Sequence, residues 1–215
     1  MKKALIFDFD GTLLDTERHN FRAWQETARR RGFSLELEFY QSLIGLTLDD
    51  SALRFQAHYG PQVPLEEWRS ERRAIFYELW DQGQGPQLKP GLQVLLSELR
   101  ERGNWEWAIA SSSRSLELEH KLLRSQLQAD FPVWVAGDQV PLGKPHPDVF
   151  LEAARRLGIP ADHCLVVEDS PIGVEAARRA GMPVVFVPDM VPACENVRSY
   201  ARAIVDDLAG VVPHL

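Results

Sequence analysis

Six short apolar runs recur along the chain, at 4–7, 105–110, 133–135, 165–167, 184–187 and 203–205. Runs this short, mostly without polar alternation, are the pattern of strands buried on both faces. Between them apolar residues repeat at helical spacing. From Gly91 to Arg102 the repeat is Leu92, Leu95, Leu96 and Leu99, and from Pro147 to Leu157 it is Val149, Phe150, Ala153 and Ala154. Strand and helix alternation of this kind predicts an α/β fold built on a doubly wound parallel sheet, whose ligands bind beyond the carboxyl ends of the strands.

One region breaks the rhythm. Residues 15–87 carry only helical patterns, with Phe21, Trp24 and Ala28 in phase over Glu17 to Arg31, and Trp68, Ile75, Phe76, Leu79 and Trp80 over Leu65 to Trp80. Gly83, Gly85, Pro86, Pro90 and Gly91 then mark the return to the αβ pattern. The expectation is an all-helical cap, 15–87, inserted into a catalytic core formed by 1–14 and 88–215. Helix packing is the simplest role for the cap's aromatic residues. No internal repeat is present.

The 215 residues are 45% hydrophobic and 26% charged, enough for one good core and a smaller satellite. A formal net charge of -7 makes nucleic acid and anionic membrane surfaces poor partners, so an anionic substrate must be held by a local device. The start Met1-Lys2-Lys3 resembles a secretory leader, but Asp8 and Asp10 interrupt the apolar run that follows far too early. No stretch approaches the roughly 18 apolar residues of a membrane span, and a cytoplasmic location is expected. Cys164 and Cys194 lie in no Cys-x-x-Cys or Cys/His cluster, which argues against a disulfide framework or zinc site. Cys164 opens an apolar run and reads as a small core residue.

Chemistry concentrates where the runs end. The first leads into Asp8-Phe9-Asp10-Gly11-Thr12, two carboxylates on alternate residues of an extended chain, so that both can reach one site. Solvated turn aspartates are one alternative and a calcium loop another; the latter places its glycine sixth, whereas Gly11 falls fourth. The run ending at Ala110 continues as Ser111-Ser112-Ser113, hydroxyls and amides suited to phosphoryl oxygens or simply a serine-rich turn. Gly143-Lys144-Pro145 puts a lysine before a helix, where a solvated lysine is the plain alternative. The run ending at Val167 continues as Glu168-Asp169-Ser170-Pro171, two acids at a helix start that also suits an N-cap.

Together these four segments resemble the haloacid dehalogenase superfamily, in the branch holding phosphoglycolate-phosphatase-like and β-phosphoglucomutase-like enzymes. The resemblance spans essentially the whole chain, including Val167-Glu168-Asp169-Ser170-Pro171-Ile172-Gly173. It implies a phosphatase in which Asp8 is the nucleophile and Asp10 the general acid/base, with Ser111 and Lys144 completing the catalytic set. It also implies Mg2+, held by Asp8, Asp169 and the carbonyl of Asp10, with Glu168 binding directly or through a water. These residue types suit the chemistry. A carboxylate nucleophile divides a hard hydrolysis into two steps through an aspartyl-phosphate. A second carboxyl can give and then take a proton, an effect worth about 10²–10⁴-fold. Several carboxylates facing a phosphate dianion need fixed cation charge, which magnesium and Lys144 supply.

The expected substrate is a small phosphoester, a sugar or polyol phosphate, selected by the cap. Candidate contacts are Asn20, Trp24, the turn Gly45-Leu46-Thr47, Arg18 and Arg69, together with Ser112 and Ser113 of the core. A mutase is the alternative activity. The stretch Asp15 to Trp24 resembles β-phosphoglucomutase, yet Asn20 stands where those enzymes carry histidine, and Leu48 stands where they carry an arginine for the distal phosphate. His19, one residue away, belongs to another helical face. The cap has no lysine for phosphonatase-type Schiff-base chemistry, and Asp10 argues against a dehalogenase. A non-catalytic binding protein on this fold is the different-class alternative, and the oligomeric state is not legible.

Overall fold

The computed structural model describes residues 2–44 and 48–215. The chain divides into two compact units, one formed by residues up to Asp15 and from Gln87 onward, the other by Thr16–Pro86.

The first unit holds a sheet of β1 (Lys3–Phe7), β2 (Trp105–Ala110), β3 (Trp134–Val135), β4 (Cys164–Glu168), β5 (Val184–Phe186) and β6 (Ala203–Ile204). Every pairing is parallel and the order is β3-β2-β1-β4-β5-β6. Each strand lies on one of the six apolar runs. Val133, expected in the third, precedes β3 but still accepts from the Ile109 amide at 3.1 Å. β4 extends one residue beyond the run at each end, taking in Cys164 and Glu168, and all five of its residues are buried. Phe7 is level with Ile109 on β2 and Val167 on β4. The segments that begin at Asp8, Ser111 and Asp169 therefore leave the sheet at one edge, beside the point where strand order reverses.

Numbered along the chain, the helices are α1 (Thr16–Arg30), α2 (Leu37–Gln41), α3 (Leu48–Tyr59) and α4 (Leu65–Leu79) in the second unit, then α5 (Leu92–Arg102), α6 (Ser115–Ser125), α7 (Asp148–Leu157), α8 (Pro171–Arg179) and α9 (Glu195–Tyr200) in the first. The periodic leucines of α5 and the Val149, Phe150, Ala153, Ala154 face of α7 are buried, as their spacing predicts. Among its described residues the second unit has helices joined by turns and no strand. Ala23, Ile75 and Phe76 form one core, and Phe33, Tyr59 and the buried Phe55 and Trp68 form an aromatic cluster with ring centroids 4.8–5.5 Å apart. The aromatics there mostly do pack helices together. Among the described residues no helix is long and apolar enough to cross a membrane.

Candidate active site

The Asp8 amide still belongs to the sheet, donating to the Val167 carbonyl at 2.9 Å, so its side chain is set by β1 and not by a mobile loop. Lys144 reaches it from a distant segment. Its Nζ donates to Asp8 Oδ1 at 2.5 Å and to Glu168 Oε1 at 2.7 Å, with only 2% of the lysine side chain exposed. Burial alone would drive this ammonium to deprotonate, but the charges of Asp8 and Glu168 outweigh it and hold Lys144 above the ordinary lysine range. For Asp8 burial dominates. It lifts the carboxyl to about 7 although Lys144 pulls the other way, with Glu168 and Asp10 adding to the rise.

Glu168 is fully buried and its second oxygen is also engaged. Oε2 accepts from the Asp169 amide at 3.0 Å and from the Ser170 amide and hydroxyl, both at 2.8 Å. The residue thus ties Lys144 to the amino end of α8. Two glycines make the room for these acids. At Gly173, in the first turn of α8, an added Cβ would run into the Glu168 carboxylate. Gly11 has φ 88°, and a Cβ there would meet the carboxylate of Asp169.

Asp10 is held by a different set of partners. Ser113 Oγ donates to its Oδ2 at 2.8 Å, while Lys121 Nζ lies 2.8 Å from Oδ1, 2.9 Å from Oδ2 and 3.0 Å from Ser113 Oγ. Ser113, a candidate substrate contact by sequence, here serves the acid. Ser111 is buried and accepts from the Ser113 amide at 3.0 Å, and Ser112 is exposed. Lys121 was not among the sequence candidates. Its signal is a lysine between Leu118 and Leu122, on the buried face of an amphipathic helix, where an unpaired ammonium would be costly.

Asp169 accepts from Thr12 Oγ1 at 2.8 Å. Burial first, then the charges of Glu168 and Asp8, push its carboxyl well above the usual range. Asp169 thus sits among like charges that a cation would offset, and the hard oxygen donors of these acids fit magnesium. Among the described residues no group of three or more His, Cys, Asp or Glu side chains makes an all-protein metal cage. Magnesium does not need one, because it keeps several waters.

In the second unit Asn20 and Trp24 line a cavity of about 430 Å³ with Tyr40, Phe55, Arg69 and Arg72. Arg72 Nη1 donates to Asn20 Oδ1 at 2.7 Å, and its guanidinium lies 5.9 Å from the Trp24 ring centroid. Tyr40 donates to Glu17 Oε2 at 2.8 Å. His19 is buried instead, its ring 4.4 Å from that of Phe76 and its Nε2 2.7 Å from the Phe76 carbonyl. Packing therefore accounts for it, as its helical face predicts. Gly45 and Thr47 lie outside the described residues.

Residues 5–187 match the family model of the haloacid dehalogenase-like hydrolases. The chain belongs to that family. It is 33% identical to a fructose-1-phosphate phosphatase, YqaB, of Escherichia coli, over 86% of this chain and 95% of that one. It is also 30% identical to a β-phosphoglucomutase of Bacillus subtilis, over 86% of this chain and 83% of that one. Among solved structures, CbbY from Rhodobacter sphaeroides in complex with phosphate superposes with a TM-score of 0.79 at 28% identity, covering 98% of this chain and 96% of its own. Family and relatives together make this protein a phosphoric monoester hydrolase.

Proposed function

We propose that this hydrolase uses magnesium to cleave a small sugar or polyol phosphate, carrying the phosphoryl group on Asp8. The observation that carries the reading is the buried Lys144 bridging Asp8 and Glu168, beside an Asp10 gripped by Ser113 and Lys121. Lys144 favours the ionised form of Asp8 against the effect of burial and adds positive charge where phosphoryl oxygens come to lie. An Asp8 oxygen attacks phosphorus as the ester P–O bond breaks, and Asp10 gives its proton to the leaving oxygen. Asp10 then takes a proton from the water that frees Asp8. Asp8, Asp169 and the Asp10 carbonyl would hold magnesium, with Glu168 fixing Lys144 and the loop. The ion, when bound, supplies charge that offsets the phosphate dianion.

In this reading the inserted helical unit acts as the cap that selects the ester, with Asn20, Trp24 and the arginines that line its cavity as the candidate contacts. The E. coli relative named for fructose 1-phosphate supports a sugar phosphate as the ester. Exchange of Asp8 for Asn should preserve folding and abolish magnesium-dependent phosphate release, because the isosteric amide removes nucleophilicity and charge. Substantial turnover by Asp8→Asn would sink the mechanism. A phosphate-release screen of metabolite esters tests the substrate class; action on phosphoproteins with none on small esters would overturn it.

The mutase relative keeps a second reading in play. A mutase must shield its aspartyl-phosphate and grip a second phosphate, and with Leu48 that grip lacks its arginine; one charge-assisted contact is worth roughly 1.5–3 kcal/mol. We therefore assign hydrolysis. Incubation with β-glucose 1-phosphate, catalytic β-glucose 1,6-bisphosphate and magnesium, followed by phosphorus NMR, separates the two. Glucose 6-phosphate forming faster than inorganic phosphate would reverse the assignment.

A further inference from the structure

We propose that Lys121 is a positioning residue, which with Ser113 fixes the plane of the Asp10 carboxyl so that one oxygen faces the leaving group. This rests on the role of Asp10 given above and extends it to a residue on another element. Lys121 lies six residues into α6 with 6% of its side chain exposed. An ammonium so buried needs partners, and its Nζ has them in both Asp10 oxygens, Ser113 Oγ and, at 3.3 Å, Glu117 Oε1. Two donors meet Oδ2, one from Lys121 and one from Ser113. A carboxyl held at several points cannot rotate about its own bond, and orientation set before the reaction does not have to be acquired during it.

The balance of the step shows what is being oriented. Asp8 forms a bond to phosphorus, the ester P–O bond breaks with its electron pair going to oxygen, and the proton of Asp10 completes the alcohol. Lysine only donates, so it meets Asp10 through whichever lone pairs remain while one oxygen carries that proton. An ammonium has no lone pair, so Lys121 is no acceptor for that proton. It sets where the proton points.

Leaving groups that need no proton should be indifferent to Lys121. The experiment measures phenol release in a single turnover, with magnesium and enzyme in excess, across substituted phenyl phosphates from p-nitrophenyl to p-methoxyphenyl. For Lys121→Met the rates should fall about 10- to 100-fold for the poorest leaving groups and little for p-nitrophenyl phosphate, the scale of loss set by a misplaced catalytic group. Lys121→Arg should recover part of the loss, and thermal melts of both variants check that they fold. In an Asp10→Asn background Lys121→Met should cost nothing further, since it acts through Asp10. Parallel slowing of every ester, or an undiminished penalty in that background, would overturn the proposal while leaving the role of Asp10 intact. An Asp10→Asn variant with no leaving-group dependence would instead remove the reading beneath it, and the proposal with it.

Discussion

At the scale of single residues the site turns on Lys144, a buried cation that keeps its charge only because two carboxylates face it. Asp8 is held by β1, but Glu168 has to be kept in reach, and Gly173 is what allows it. In a helix interior glycine is usually the weaker choice, costing roughly 0.8–1.0 kcal/mol against alanine. Gly173→Ala should therefore stabilise α8 if nothing stood in the way. With the Glu168 carboxylate where the Cβ would go, we expect the opposite sign, a lower melting temperature together with lost phosphatase activity. Differential scanning calorimetry decides, and a rise in melting temperature with activity retained would show that Glu168 can move without consequence.

At the scale of elements α8 is the frame of the site. Ser170 caps it, accepting from the Gly173 amide at 3.1 Å while donating to Glu168 Oε2 at 2.8 Å. Ser170→Ala removes both bonds. A lost cap costs about 0.5–2 kcal/mol, and a chain of this size loses about 2–4 °C per kcal/mol. A drop of several degrees in the melting curve, with slower turnover, is the expected result; an unchanged melt would mean that water replaces both bonds. The N-cap Ser170 and the paired acids Glu168 and Asp169 were both legible in the sequence, because they are contiguous and follow a buried run. The strands were legible for the same reason, down to β3 and β6 with two residues each. Lys121 was not, since its place on the buried face of α6 says only that it needs a partner, and that partner, Asp10, is 111 residues away. The same holds for Arg72, whose bond to Asn20 spans 52 residues. Ser113 was legible as a polar group at a strand end, and only the fold shows that it faces an acid.

For the whole molecule the acids make stability depend on pH in two opposite senses. Glu26, Glu152 and Glu175, each between two arginines of its own helix, are lowered to about 2, chiefly by hydrogen bonds from those arginines. Their contribution is present above the unfolded carboxylate range and is lost as pH falls toward 2, and at exposed positions it is small. Asp8, raised to about 7, works the other way, as does Asp169. A raised carboxyl means that the folded state holds a proton the unfolded chain releases. That contribution is complete below the ordinary aspartate value of 3.8 and disappears as pH climbs through about 7. Without metal the protein should therefore melt at a higher temperature near pH 5.5 than near pH 8.5, and the net charge of -7 at neutral pH adds repulsion in the same direction. If magnesium is held as proposed, it should reverse the preference, because it would bind the ionised carboxylates and have to displace protons at low pH. At a hundred times its dissociation constant a ligand stabilises by about 2.7 kcal/mol, so a fixed magnesium concentration that achieves this at pH 8.5 should do much less at pH 5.5. Thermal melts in EDTA and in magnesium at the two pH values test both halves. Equal magnesium increments at both, or metal-free melts that rise with pH, would show that Asp8 and Asp169 are already ionised in the folded protein without metal.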